Sequence, residues 1–187
     1  AVNTTDSKVL VGASQVAANT QYAYFGVDST AASGNLADTH YAVSFNNATA
    51  GTTYLSPIGS STSSSFNDTD PGTSVTIGNL AENYMRAYWY VPDNITIDAV
   101  HWLHVADQGT GDDTAAHLMA YSGDLSSGVV VADGATITNA GWEQIYYQSM
   151  TIQSADVDAG KVIMFTFASD TVNSDYGINA TVKYHIR

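Results

Sequence analysis

The sequence predicts an all-β protein, a single jelly-roll-like antiparallel β-sandwich with a short N-terminal arm, and three observations carry that prediction. The chain ends on Ile178-Asn179-Ala180-Thr181-Val182-Lys183-Tyr184-His185-Ile186-Arg187, which alternates apolar and polar without a break. That two-residue period is the mark of a half-buried strand, because successive side chains leave a strand on opposite faces. The same period returns several times upstream, and no window of ordinary helix length is convincingly amphipathic. Turn signals separate about nine such runs at intervals of roughly ten to fifteen residues, the spacing of a sandwich or jelly roll.

Taken in order, residues 1–20 are small and polar apart from Val9-Leu10-Val11, and are expected as an N-terminal arm or edge strand, with the sandwich domain spanning 21–187. Tyr22, Tyr24, Phe25 and Val27 are aromatic and β-branched strand formers, and residues 28–38 are turn-rich. Tyr41, Val43 and Phe45 alternate with polar or small neighbours as a strand does. Residues 56–73 hold Ser60-Ser61-Thr62-Ser63-Ser64-Ser65 and Asp68-Thr69-Asp70-Pro71-Gly72, and are expected as an exposed loop. Val75 and Ile77 begin a short strand. The window Leu80 to Val91 fits either period, and Tyr88-Trp89-Tyr90 favours the strand.

Pro92-Asp93-Asn94 closes that strand as a turn. Ile95, Ile97, Ala99, His101, Leu103 and Val105 are expected along one face of the next. Asp107-Gln108-Gly109-Thr110-Gly111-Asp112-Asp113 reads as a hairpin loop, with Ala115 to Tyr121 as the return strand. Gly128 to Ala132, Trp142 to Ile152 and Lys161 to Ala168 complete the series, the last with Ile163, Phe165 and Phe167 on one face. Residues 170–177 turn into the final strand, whose Ile178, Ala180, Val182, Tyr184 and Ile186 are expected to face the core.

Composition narrows the function classes. The 187 residues suit one domain, and 44% hydrophobic residues with 12 Tyr suffice for a core. Only 12% of residues are charged, yet 18 are acidic against 5 basic, for a net charge of -13. Glu82 and Glu143 are the only glutamates, and Asp, which makes up the rest of the acid, suits turns between short strands. A surface of this sign repels phosphate backbones and anionic membranes, and Lys8, Arg86, Lys161, Lys183 and Arg187 are scattered, so neither nucleic acid nor membrane is an expected partner. The absence of Cys excludes a disulfide framework and a zinc-thiolate site. No run reaches the roughly 18 apolar residues of a membrane span. Sequons at Asn3, Asn47, Asn67, Asn94 and Asn179 are what a chain rich in Asn and Thr produces by chance.

Few side chains assemble into a reaction signature. His101, His104 and His117, with Asp107, Asp112 and Asp113 between them, are the densest group of metal-ligand types. Residues three apart on a strand point to opposite faces, so His101 and His104 are expected as ordinary sheet histidines. The Asp107 to Asp113 loop offers oxygen ligands but lacks the spacing and bidentate Glu of an EF-hand, and is expected as a turn. Nothing brings Glu82 and Glu143 together as an acid/base pair, no G-x-S-x-G elbow is present, and the glycines form no phosphate-binding loop. The expectation is a protein that is not an enzyme and has no catalytic, cofactor-binding or metal residues. Trp89, Trp102, Trp142 and the pair Tyr146-Tyr147 are candidates for a carbohydrate platform or protein interface, with burial in the core as the alternative.

The second half carries a resemblance. Tyr90-Val91-Pro92-Asp93-Asn94-Ile95-Thr96-Ile97-Asp98, then His117-Leu118-Met119-Ala120-Tyr121 before Gly128-Val129-Val130-Val131-Ala132-Asp133, then residues 169–179 running into Val182-Lys183-Tyr184-His185-Ile186, form its motifs. Across residues 84–187 this series resembles virion structural proteins of marine tailed bacteriophages, a group of β-rich capsid-decorating or fibre modules. The resemblance implies a capsid decoration or cement protein on the capsid exterior of the virion, with the major capsid protein as partner and a homotrimer as the assembly. It brings no active-site residues. A fibre or receptor-binding tip recognising a host surface glycan, and a secreted carbohydrate-binding module, are the alternatives.

Overall fold

In the computed structural model of the chain, residues 2–3, 8–11, 14–17, 20–31, 41–43, 45, 56–57, 71, 87–107, 109–170 and 175–187 are described. The chain opens on β1 (Val2–Asn3), β2 (Lys8–Val11) and β3 (Ser14–Ala17), a three-stranded antiparallel sheet in the order β1-β2-β3. This is the form taken by the segment expected as an arm or edge strand. Then follow β4 (Thr20–Ala31), β5 (Tyr41–Ala42), β6 (Ser56–Pro57), β7 (Trp89–Tyr90), β8 (Ile95–Asp107) and β9 (Asp113–Tyr121). The remainder are β10 (Val129–Asp133), β11 (Ile137–Thr138), β12 (Gln144–Ser149), β13 (Thr151–Ile152), β14 (Asp156–Val157), β15 (Val162–Ser169) and β16 (Asp175–Ile186).

Two antiparallel sheets pack as a β-sandwich, as the sequence predicts. One has eight strands, with β13-β10-β9-β15-β5-β6 as its path, β11 on β9 and β7 on β15. The other has five, in the order β12-β8-β16-β4, with β14 also on β8. From β8 onward the chain repeatedly changes sheet, which is jelly-roll-like connectivity. The expected hairpin across 107–113 is therefore a correction: β8 pairs with β12, β14 and β16, β9 pairs with β10, β11 and β15, and the loop crosses from one sheet to the other. Likewise the long strand expected over 142–152 is broken. Met150 donates its N–H to the Val100 carbonyl, and the chain passes from β12 in one sheet to β13 in the other.

Between the sheets lies the main core. Ala116, Leu118 and Ala120 of β9 and Ile163, Phe165 and Phe167 of β15 meet Val100 and Trp102 of β8, Ile178, Ala180 and Val182 of β16, and Phe25 of β4. Each large apolar side chain removed from water here contributes about 1.5–3 kcal/mol. The eight-stranded sheet is buried on its other face as well. Met119 and Tyr121 of β9 and Val162 and Met164 of β15 pack there with Ala42, Ala87 and Leu125. Every residue of β15 is buried, so its alternation carries no polar face.

The final strand keeps the faces its sequence declares, with Ile178, Ala180 and Val182 buried and Tyr184 and Ile186 packed on the core. In β8 the expected face holds only for Ile95 and Ile97. Lys183 pairs with Ala99 and Tyr184 with Ile97, leaving Asp98 as an extra residue, a β-bulge. Beyond it the parity inverts: Val100, Trp102 and His104 are buried, and Leu103 and Val105 face solvent. Ser56–Pro57 pairs with Tyr41–Ala42 and Pro71 is buried, so neither position is exposed loop. The rest of the serine-rich stretch, Val75, Ile77, residues 80–86 including Glu82, and the sequons at Asn47 and Asn67 lie outside the described residues.

Candidate functional site

Because β9 and β15 at the middle of the eight-stranded sheet are buried on both faces, the exposed outer face of the five-stranded sheet stands out among the described residues. Its occupants follow from register. Ile145 of β12 lies opposite Val105 of β8, and Tyr147 opposite Leu103, which in turn faces Asn179 of β16. Ser149 lies opposite His101, His101 opposite Thr181, and Thr181 opposite Tyr24 of β4. Ala99, Lys183 and Tyr22 form the next row. Six large apolar side chains of this face are exposed: Tyr22, Tyr24, Leu103, Val105, Ile145 (68%) and Tyr147 (64%). Cross-strand neighbours sit about 5 Å apart, so Leu103, Val105, Ile145 and Tyr147 form one apolar patch on β8 and β12, and Tyr22 and Tyr24 stand apart on β4 beyond the Asn179, Thr181 and Lys183 row of β16.

A hydrogen-bonded trio marks its centre. The Tyr147 hydroxyl is 2.8 Å from His101 Nδ1, the Ser149 hydroxyl is 3.1 Å from the same nitrogen, and the two rings stack with centroids 5.8 Å apart. The hydrogen bond and ring stacking hold the Tyr147 and His101 side chains against each other, which limits their rotamer freedom before any partner arrives. It is also unusual in charge. From Tyr147 to Ala99 the described outward side chains of β8, β12, β16 and β4 include no carboxylate, and Lys183 is their one formal charge. Acid borders the face at both ends: Asp107 pairs with Asp175 beyond Val105 and exposed Glu143 precedes β12, while at the bulge Asp98 lies 2.9 Å from His185 Nδ1 and beyond it Arg187 reaches Asp156 and Asp158.

The residues singled out from the sequence separate widely. His104 is 1% exposed and lies in a stack with Trp102 and Tyr146, edge-on to Phe167. Burial holds its imidazole down at about 4, so it is neutral at physiological pH. His101 lies on the opposite face of β8, and His117 is buried on the eight-stranded sheet with Nε2 3.2 Å from Asp133. The three histidines thus lie apart, and among the described residues no three His, Asp or Glu side chains converge on a metal position.

The 109–113 loop is held by Asn139 instead. Its amide donates to the carbonyls of Gly109 and Gly141, and its side-chain oxygen accepts the Tyr146 hydroxyl proton. The Asn139 backbone completes the clamp with bonds to Gly111 and Asp112. Asn139 is 2% exposed, a structural hub that no sequence motif announces.

Of the aromatic candidates, Trp102 and Trp89 are core, Tyr146 serves the clamp, and Trp142 (66% exposed) and Tyr147 remain open. Trp142 sits in a turn whose next residue, Glu143, adopts φ 56°, a left-handed conformation that places the tryptophan ahead of β12. A cavity of about 80 Å³ lies at one end of the sandwich, lined by Gln21, Trp89, Val91, Asp93, Ile95 and Tyr184 among others. It is smaller than the roughly 300 Å³ at which small-molecule sites begin. No known family model matches this chain, and no curated protein matches it.

What sequence reading missed is the aliphatic part of the face. Leu103 and Val105 were expected on one face with Ile95 and Ile97, and Ile145 lies within the strand expected over 142–152. The available signal was parity: with Trp102 and His104 inward, the residues between them must point out.

Proposed function

We propose that this chain is a non-enzymatic structural protein of a tailed-phage virion, a capsid decoration protein on the exterior of the head. The observation that supports the reading is the open face of the five-stranded sheet, where Leu103, Val105, Ile145 and Tyr147 stand exposed on two paired strands, on a chain of net charge -13. An exposed apolar surface of this kind serves protein contact better than bond-making, which needs a cleft with converging titratable groups. Its partner in this role is the major capsid protein, its assembly a homotrimer at a local three-fold position, and residues 1–20 the segment that touches the lattice. The work is mechanical, the burial of apolar area across subunit junctions.

The test is co-sedimentation with undecorated capsid shells at rising salt. Saturable pelleting that survives roughly 0.5 M salt, where surface charge is screened, is the expected result. Failure to pellet at any salt rejects the reading.

One observation favours a second reading, a fibre or receptor-binding tip. The rings of Tyr22, Tyr24 and Tyr147 share their face with the hydroxyl, amide and imidazole groups of Ser149, Thr181, Asn179 and His101, and stacking beside hydrogen-bonding groups is how proteins grip sugars. Glycan binding on that face quenches tyrosine or Trp142 fluorescence, whereas a decoration protein ignores sugars.

A further inference from the structure

We propose that β12 is a strand-addition site, whose outer edge takes an extended, basic segment of a partner polypeptide as a further strand of the five-stranded sheet. Such a site stands whether or not the chain decorates capsids.

Backbone geometry comes first. β12 lies at the end of its sheet and pairs only with β8 among the described residues. Met150 donates its N–H to the carbonyl of Val100, the residue opposite it once the register is continued past Ser149 and His101. In an antiparallel ladder, opposed pairs that exchange hydrogen bonds alternate with pairs that do not. Gln144, Tyr146 and Gln148 therefore exchange bonds with β8, and Ile145, Tyr147 and Ser149 aim their N–H and C=O groups away from it. No other described backbone group bonds to those three residues. A row of this kind is complementary to another extended backbone, and its main-chain bonds supply the affinity when a peptide adds to a sheet edge. A large buried face is not required.

The other edges of the sandwich are blunted. The eight-stranded sheet ends on β13 and β6, of two residues each, and β6 carries Pro57. At the far side of the five-stranded sheet, Phe25 of β4 is bridged by Phe45. Short length, proline and a covering segment are devices by which sheets avoid unwanted partners, as are Lys and bulges. β12 is six residues long, in regular register, and its sequence Gln-Ile-Tyr-Tyr-Gln-Ser has no charge, Pro or Gly.

Side chains specify the segment. A residue added opposite Tyr147 or Ile145 lies on the outer face, where it extends the apolar patch those two form with Leu103 and Val105. Alternate positions turn inward beside Tyr146 and Gln148, whose side chains bond Asn139 and the Ala135 carbonyl, and suit short hydroxyl residues. Exposed Glu143 precedes β12 on a chain of net charge -13, so a basic residue at that end of the segment is attracted.

The probe is the blocked peptide acetyl-Thr-Thr-Val-Thr-Val-Thr-Lys-amide, titrated into the isotope-labelled full chain and followed by NMR. In the free protein the amides of Ile145, Tyr147 and Ser149 are expected to exchange fast with solvent and those of Tyr146 and Gln148 slowly. The peptide is expected to bind with a Kd of roughly 0.1 mM and to slow exchange at the first three. The same peptide with both valines N-methylated lacks the donors that face β12, and binds at least about tenfold more weakly. Ile145→Pro removes a donor that β8 does not use and weakens binding by a similar factor, whereas Ile145→Val binds as the wild type does. Circular dichroism checks the proline variant, and if it misfolds the two peptides on the wild-type chain decide alone.

No response at about 2 mM peptide, or equal binding of the N-methylated peptide, overturns the proposal. Slow exchange at Ile145, Tyr147 and Ser149 in the free protein overturns it as well. At every concentration that result means that the chain covers its own edge, and only at high concentration that a second copy does.

Discussion

His104 shows what one buried titratable side chain does to the whole fold. Its ring fills the core between Trp102, Tyr146 and Phe167, and its Nε2 lies 3.5 Å from the Thr114 hydroxyl, at the outer limit of a hydrogen bond. Nδ1 is buried without a hydrogen-bond partner, as is Trp102 Nε1. Desolvation opposes the charged form, lowering the imidazole from 6.5 to about 4. Above pH 6.5 the residue is neutral folded or unfolded and has no pH effect. Between pH 6.5 and about 4 the unfolded chain takes up a proton that the folded chain refuses, so stability falls as pH falls, by roughly 3 kcal/mol at the lower limit. Urea midpoints followed from pH 7 to pH 4 are expected to drop less steeply in His104→Phe than in the wild type. Identical slopes mean that His104 is not the group responsible. In the sequence His104 reads as an ordinary sheet histidine. Its parity against His101 was legible, but nothing in one chain shows which of the two parities is buried.

At the level of elements, the bulge at Asp98 decides which half of β8 feeds the core. Without it, a strand that buries Ile95 and Ile97 would also bury Ala99, His101, Leu103 and Val105, and would turn Trp102 to solvent. The apolar run Ile95 to Val105 satisfies both parities, so the alternation read from sequence extended the first one past the point where the structure abandons it. Polar β16 left no such freedom, and its faces were read correctly. The same ambiguity hid the break at Met150, where two strands in different sheets share one continuous aromatic pattern. Deleting Asp98 removes the extra residue and forces one end of β8 into the wrong parity. With Trp102 and Ile97 both fully buried, the deletion is expected to cost more than about 4 kcal/mol and to abolish the cooperative thermal transition. Asp98→Asn keeps the residue count and forfeits only the half-exposed contact to His185, worth under about 1 kcal/mol. A deletion variant that melts like wild type would show that the bulge is dispensable.

For the molecule as a whole, the sandwich and its alternating strands were legible because periodicity alone specifies them. The open face was not, because it depends on which sheet receives a second cover, and Ala87 and Leu125, which pack on the eight-stranded sheet, lie outside its strands. Charge has a similar global character. The net -13 is a sum over the surface, offset locally by only a few exposed pairs such as Arg187 with Asp156 and Asp158. Exposed pairs contribute about 0–1 kcal/mol each and weaken with salt, whereas the self-repulsion of thirteen uncompensated charges is relieved by it. The second effect wins because it sums over many carboxylates and the first over few. The melting temperature is therefore expected to rise by a few degrees between about 0.01 and 0.3 M NaCl and then level off, as the Debye length falls from about 30 Å to under 10 Å. Chloride is the salt of choice, since sulfate would strengthen apolar burial in its own right. Leu103→Thr/Tyr147→Thr, which strips two exposed apolar side chains from the open face, separates folding from any association there: if its melting temperature climbs with salt as steeply as that of the wild type, the gain belongs to the folded chain itself. A flat or falling profile in both proteins means that the acid is spread widely enough to cost the fold nothing.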